Sequence, residues 1–222
     1  MHYQFDFSAI AQYRQLLVDG TIETLKMSLV SMALALVAGI IVMLAKKSTI
    51  PPLRWMGTVF IEVIRNTPFL VQLLFIYFGL ASLSLKLSVT QAAVTALTVN
   101  AAAYVAEIVR GGVEAIHKGQ IEAGAALGLK SYQIFWNVVL RPSIRSVYPA
   151  LCSQFILLVL SSSIVSSISA AELTSAAQQV ESASFRSFEV YLVVTAIYLA
   201  LSITLSTIFK LFGRVYFAYP TK

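Results

Sequence analysis

Long runs free of Asp, Glu, Lys and Arg alternate along this chain with short polar interruptions. Five runs stand out: Met27–Ala45, Asn66–Leu85, Leu87–Ala106, Ser146–Ala171 and Val190–Phe209. Each is about 20 residues or longer, enough for a helix to cross the roughly 30 Å hydrocarbon core of a bilayer. The strict two-residue alternation of a membrane β-barrel is absent. The pattern therefore predicts an all-α integral membrane protein with five transmembrane helices, over about 25–46, 57–84, 87–109, 146–170 and 189–211. A cytoplasmic loop is expected over 113–145. No internal repeat or low-complexity linker interrupts the chain, so 1–222 reads as a single domain.

The second span allows two readings. It begins near Gly57 and kinks at Asn66-Thr67-Pro68, or it begins later. Glu62 and Arg65 lie three positions apart on one helical face, at the spacing of an intrahelical ion pair. Only Lys86 separates spans two and three, which predicts a tight hairpin. The connection Glu172–Glu189, with its three glutamates and one arginine, reads as an outer loop.

Composition supports the membrane reading: 58% of residues are hydrophobic and 12% charged, against roughly 45–50% and 25% in soluble domains. The polar start Met1–Asp19 and the length of the first apolar run do not fit a cleavable signal. The single Cys152 leaves no internal disulfide, and His2 and His117 are too far apart in sequence to suggest a metal site.

A net charge of +6 at first suggests an anionic partner, but its distribution argues for topology instead. With the C-terminus cytoplasmic, Lys46, Lys47, Arg54, Arg65, Arg110, Lys118, Lys130, Arg141, Arg145, Lys210, Arg214 and Lys222 fall inside. Arg14, Lys26, Lys86 and Arg186 fall outside, and twelve against four obeys the positive-inside rule. The N-terminus is then outside and no nucleic-acid partner is needed.

The polar, glycine-rich stretch from Lys118 predicts two short helices. Lys118–Leu127 consists largely of good helix formers, and Gly128 is placed to end it in the left-handed conformation. Ser131 is expected to cap a second helix that runs to about Leu140 and stops at Pro142. Such a protrusion offers Ile121, Ala125, Phe135 and Trp136 to a partner groove. Two blander readings stand beside docking: a solvated connector, or a small-xxx-small packing pair at Gly124 and Gly128. No Gly-x-x-x-x-Gly-Lys-Ser/Thr loop occurs, so the chain lacks that means of holding nucleotide phosphates.

Polar groups within the spans are costly and often mark a solute path. Glu62, Arg65, Asn66, Thr67 and Gln72 gather at the start of span two. Asn100, Tyr104 and Glu107 share one face of span three, at spacings of four and three. A zwitterionic solute needs a partner for its carboxylate, such as Arg65, and one for its ammonium, such as Glu107. The alternative is that Glu62–Arg65 and Glu107–Arg110 are structural ion pairs. Ser161, Ser162 and Ser163 in span four either meet solute or bond to the backbone and permit close packing.

Three linked segments carry a family resemblance. Glu122-Ala123-Gly124 with Gly128 and Leu129 resembles the "EAA" loop of ABC importer permeases. Arg65-Asn66-Thr67-Pro68-Phe69-Leu70-Val71-Gln72 with Phe75-Ile76-Tyr77-Phe78-Gly79 resembles permeases of polar amino-acid importers. So does Ala103-Tyr104-Val105-Ala106-Glu107-Ile108-Val109-Arg110-Gly111-Gly112, running into Lys118-Gly119-Gln120. The similarity extends over roughly residues 17–217. It implies a type I importer permease of the bacterial inner membrane, whose loop seats in a cleft of a cytoplasmic ABC ATPase dimer. The ATPase would bind ATP and Mg, and an extracytoplasmic binding protein would deliver the amino acid. The chain departs from the family in having Arg141 before Pro142, and Leu160 and Ser161 where related permeases commonly carry a lysine and an acidic or amide residue. That second departure implies weak solute contact and favours pairing with a different permease chain over a homodimer.

Two other classes compete. A stand-alone ion-coupled transporter or channel would rely on Glu62 and Glu107, but no inverted repeat supports it. A membrane enzyme would require a convergent nucleophile, base or metal cluster that the sequence does not offer.

Overall fold

The computed structural model describes residues 4–217, and no strand occurs among them. The helices are α1 (Ser8–Gln12), α2 (Arg14–Lys46), α3 (Pro51–Arg65), α4 (Phe69–Ser82), α5 (Val89–Glu114), α6 (Lys118–Ala126), α7 (Ser131–Ile168), α8 (Leu173–Ser184) and α9 (Ser187–Tyr216). Four are long and apolar enough to cross a bilayer: α2, α5, α7 and α9; the bent pair α3–α4 is the fifth candidate.

The centre of the fold is the α2–α5 pair, packed along most of its length. Its seam is built largely from small residues: Ser31, Ala35 and Gly39 on α2 face Ala96, Ala102 and Val105 on α5, all of them buried. A Cβ at Gly39 would lie 2.6 Å from a Val105 methyl carbon and 2.9 Å from the Ala102 carbonyl oxygen, so only glycine lets the backbones come this close. In lipid, where helix association relies on packing rather than on expulsion of water, such seams hold bundles together. Two hydroxyl bonds cross the pair, Ser31 to the Val94 carbonyl at 3.4 Å and Thr98 to the Ser31 carbonyl at 3.5 Å. α4 and α7 complete the main core, and a second cluster joins α1, α8 and the near ends of α2 and α9.

Several elements differ from the sequence reading. α2 begins at Arg14, because Arg14–Lys26 continues the helix through residues too polar for a bilayer. The second apolar run is not one gently kinked span: α3 starts at Pro51, with proline in the first turn, and meets α4 at a 113° bend. Asn66-Thr67-Pro68 makes the break, since Pro68 can supply no amide hydrogen and its ring disfavours a helical residue before it. The connection expected over Glu172–Glu189 contains α8, capped at its start by the Glu172 carboxylate, which accepts the amides of Thr174 at 2.8 Å and Ser175 at 2.6 Å.

Pro142 does not stop a helix. α7 runs for 38 residues from Ser131 to Ile168, with a π-type stretch at Phe135–Leu140. The wider π turn shifts the hydrogen-bond ladder just before Pro142, where a regular turn would lack a donor and crowd the ring against a carbonyl. The cap of α7 is also not Ser131. Lys130 occupies that position, and its amide donates to the Gln133 carboxamide at 2.9 Å. At the far end α7 tightens into a 3-10 segment, Ser162–Ile168, which Ser169 ends at φ 61°.

Candidate functional site

The helical hairpin α6–α7 leaves the end of α5 after a short turn. Leu127 donates its amide to Ala123 at 3.0 Å, Gly128 to Ala125 at 2.9 Å and Leu129 to Gly124 at 3.1 Å. This six-to-one and five-to-two pairing, with Gly128 at φ +76°, is the Schellman arrangement. Gly124 is buried where the two arms cross: a Cβ there would meet Ile134 at 3.3 Å and Leu129 at 3.6 Å. Gly124 thus serves the hairpin's own closure, which answers the small-xxx-small alternative with an intramolecular contact.

Around that turn the hairpin keeps apolar groups outside. Leu127 is 80% exposed, and Ile121, Tyr132, Phe135 and Trp136 are exposed too, with the last two rings edge to face at 5.9 Å. Lys118, Gly119, Gln120, Glu122 and Ala123 are open along α6. The expected exposure of Ile121, Ala125, Phe135 and Trp136 is therefore seen, and Leu127 and Tyr132 add to it.

The second group of expected residues converges on the α3–α4 elbow. The Gln72 amide nitrogen donates to the Ile64 carbonyl at 2.8 Å, the Thr67 carbonyl at 3.1 Å and the Thr67 hydroxyl at 2.8 Å. Its carboxamide oxygen accepts from Asn100 of α5 at 3.0 Å. One buried side chain thereby satisfies carbonyls that the 113° bend releases and fastens the elbow to the central helix. Asn66 instead caps its own helix, donating to the Glu62 carbonyl at 2.8 Å and carboxylate at 3.1 Å.

A charged cluster lies at the ends of α2, α3 and α5. Glu107 receives Lys46 at 2.8 Å, Arg110 at 2.8 Å and Arg65 at 3.7 Å. Glu114 takes Arg110 and, at 3.5 Å, Lys47. Arg65 also stands over the Tyr104 ring, 5.5 Å from its centroid. The expected Glu62–Arg65 pair is absent among the described contacts: Asn66 occupies Glu62, and Arg65 turns away to α5. The expected Glu107–Arg110 pair is present. Asn100, Tyr104 and Glu107 do share a face, and what they face is the elbow. Lys46 was missed as a partner, because its contact with Glu107 spans 61 positions and nothing local signals it.

The serines of α7 turn inward on their own helix. Ser162 donates to the Val159 carbonyl and Ser163 to the Leu160 carbonyl, each at 2.7 Å. Ser161 sits at the junction where the α-helix gives way to the 3-10 segment. That segment packs against α4, so the serines and the elbow adjoin. Among the described residues no group of three His, Cys, Asp or Glu side chains is arranged to hold a metal ion.

An apolar bundle with a broken second span, a polar elbow and an exposed glycine hairpin defines a membrane permease. Residues 35–216 match the family of the binding-protein-dependent transport system inner membrane component, and the chain belongs to that family. It is 38% identical to the glutamine transport system permease protein GlnP of Escherichia coli, over 95% of this chain and 97% of that one. It is 35% identical to the arginine transport system permease protein ArtQ of Bacillus subtilis, over 94% and 96% of the two chains. Among solved structures, a chain of an amino acid ABC transporter with histidines superposes with a TM-score of 0.90 at 38% identity, covering 96% of this chain and 99% of that one. A chain of the inward-facing MetNI methionine ABC transporter superposes with a TM-score of 0.74 at 25% identity, over 90% and 96%.

Proposed function

We propose that this chain is a permease subunit of an ATP-driven, binding-protein-dependent importer of polar amino acids in a bacterial inner membrane. One observation carries the reading: the exposed α6–α7 hairpin continues without a break into a membrane-crossing helix. At 1.5 Å per residue, α7 is on the order of 57 Å long, so it can act as a lever from a docked ATPase to the opposite membrane face. Type I ABC permeases are the relatives it resembles.

On this reading Lys118, Gly119, Gln120, Glu122, Ala123, Gly124, Gly128 and Leu129 form the part that seats in a cytoplasmic ABC ATPase dimer. ATP and Mg bind in that partner, and this chain carries out no covalent chemistry. The N-terminus is outside and the C-terminus cytoplasmic. A binding protein docks at the outer end, where Phe185 is almost fully exposed at φ 57° beside Phe188. The solute path follows the α5 face bearing Asn100, Tyr104 and Glu107, past Arg65, Asn66, Thr67 and Gln72 to Ser161, Ser162 and Ser163. Contact between the serine segment and α4 supports this route. Because Gln72 and Asn100 are bonded into the elbow and Glu107 is held by Lys46, Arg110 and Arg65, these residues hold the path's shape, and a second, non-identical permease chain supplies most solute contacts.

Closure of the ATPase dimer would push the hairpin, tilt α7 and load the Glu107–Glu114 cluster, because α6 starts four positions after Glu114. The test is to purify a tagged chain from native membranes in mild detergent and identify its companions by mass spectrometry. An ABC ATPase and a second permease are expected. No ATPase under several gentle conditions, together with uptake driven by a proton gradient, would overturn the proposal.

A further inference from the structure

A groove of about 530 Å³ runs between α7 and α9, and neither the hairpin nor the elbow uses it. Its lining is graded. Arg145 and Arg214 lie toward one end, with Lys210 one turn further along α9, and Ile156 and Ser206 lie toward the other. Tyr148 stands between, its hydroxyl donating to the Phe209 carbonyl at 2.8 Å and its ring edge against Gly213, where a Cβ would come within 3.0 Å. No acidic side chain lines the groove, and among the described residues Lys210 and Arg214 enter no ion pair. From Arg145 to Ile156 is eleven residues; at 1.5 Å each that is roughly 16 Å, close to the depth of one leaflet.

We propose that this groove is a binding site for one anionic phospholipid of the cytoplasmic leaflet. The phosphate would sit among Arg145, Lys210 and Arg214, and an acyl chain would lie along Cys152 and Ile156. Charge selects the occupant: Lys210 and Arg214, which enter no ion pair among the described residues, are costly to cover with an apolar helix at a membrane boundary and favourable to cover with a phosphodiester. The graded depth selects a molecule whose charge is at one end only, which a free anion or an amino acid does not match. The lipid would also fill the space beside α7, the proposed lever, and so bear on its tilt. The inference rests on the topological part of the importer reading, with the end of α9 cytoplasmic, and not on the solute or the ATPase.

The test uses the assembled transporter, extracted in mild detergent and examined by native mass spectrometry with phosphatidylglycerol or phosphatidylcholine added. The wild-type assembly is expected to retain phosphatidylglycerol preferentially. Lys210→Gln with Arg214→Gln is expected to lower that retention roughly tenfold to thirtyfold, since two cations near the headgroup are lost. Ile156→Trp, which leaves every charge in place, should lower retention by blocking the tail slot. Its use keeps the test decisive if the charge variant fails to assemble. Equal retention of the two lipids, or retention unchanged in the variants, overturns the proposal, as does a second permease chain found seated in the groove. Co-purification of an ATPase in the same spectra reports on the importer reading separately, so the two can fail independently.

Discussion

The two ends of the molecule handle polarity in opposite ways. At the end where α8 joins α9, carboxylates are buried: Glu172 is 1% exposed and Glu189 fully covered. Each is committed to the fold. Glu172 caps α8 and accepts the Tyr198 hydroxyl at 2.9 Å, while Glu189 accepts the Asp6 amide at 3.1 Å. Arg186 reaches back to the Gln4 carbonyl at 3.2 Å, tying that residue to the α8–α9 turn. At the hairpin end the reverse holds: backbone groups are satisfied by a tight glycine turn, and Leu127, Tyr132, Phe135 and Trp136 project outward. Polar groups turned inward hold the fold of this end together without a partner, while Phe185 and Phe188 stay exposed at its surface. Apolar groups held out of the bundle on a rigid turn make an end that is completed by a partner. Substitutions at the first should therefore cost stability, and those at the second should cost association.

The strongest break in that contrast is Gly128→Pro. Proline cannot adopt φ +76° and cannot donate the bond that Gly128 gives Ala125. The hairpin geometry should be lost, and with it all ATPase co-purification, while the melting temperature of the bundle changes little. ATPase capture at the wild-type level would show that the turn is not the docking element.

Glu172→Ala should do the opposite. Loss of a helix cap costs about 1–2 kcal/mol, and a buried Tyr198 hydroxyl left with poorer partners adds about 1 kcal/mol. Thermal unfolding in detergent should show a total of about 2–3 kcal/mol, with ATPase capture retained. A variant as stable as the wild type would mean that the cap is dispensable. Leu127→Ser is smaller still. An 80% exposed side chain contributes little to the fold, so stability should shift by less than about 0.5 kcal/mol. Burial in a partner's cleft is worth about 1.5 kcal/mol for such a side chain, so ATPase affinity should fall roughly tenfold.

The sequence carried this contrast unevenly, and particular residues show why. The charge-free runs marked α2, α5, α7 and α9 because lipid imposes one composition on any helix it surrounds. Gly128 was legible because its conformation is a local matter. Pro142 misled, since a local rule for breaking helices says nothing of a π turn that absorbs the missing donor. α8 was hidden because its sequence is polar and its buried face consists of Leu173, Ala176, Ala177 and Val180. In the site, the face shared by Asn100, Tyr104 and Glu107 followed from helical spacing. Their partners did not: Gln72 lies 28 positions from Asn100, and Lys46 lies 61 from Glu107. Pairing across such separations is fixed by packing alone, and a nearer candidate, Glu62 for Arg65, was taken by Asn66.

The smallest effect concerns pH and sharpens the outer end alone. Burial pushes the Glu172 carboxyl above the usual carboxylate range, against the lowering effect of the Thr174 and Ser175 amides and the Tyr198 and Thr174 hydroxyls. Thr24, Thr174, Ser175 and Tyr198 surround this site from α2, α8 and α9, and none of them is charged. The folded state therefore binds the proton more tightly than the unfolded chain. The stabilisation is complete below the unfolded value of about 4.3 and is lost as pH rises through the raised native value. Asp6 and Glu181 act the other way: hydrogen bonds from Ser8, and from Ser187 and Tyr191, lower their values, so acidification weakens them. Total stability thus mixes both signs, and the informative quantity is a difference from Glu172→Gln, which has no proton to bind. As pH falls from neutral toward the unfolded value, the wild type should gain in melting temperature relative to that variant. A parallel response in the two proteins would mean that Glu172 stays ionised in its cap, held there by its four donors in spite of burial.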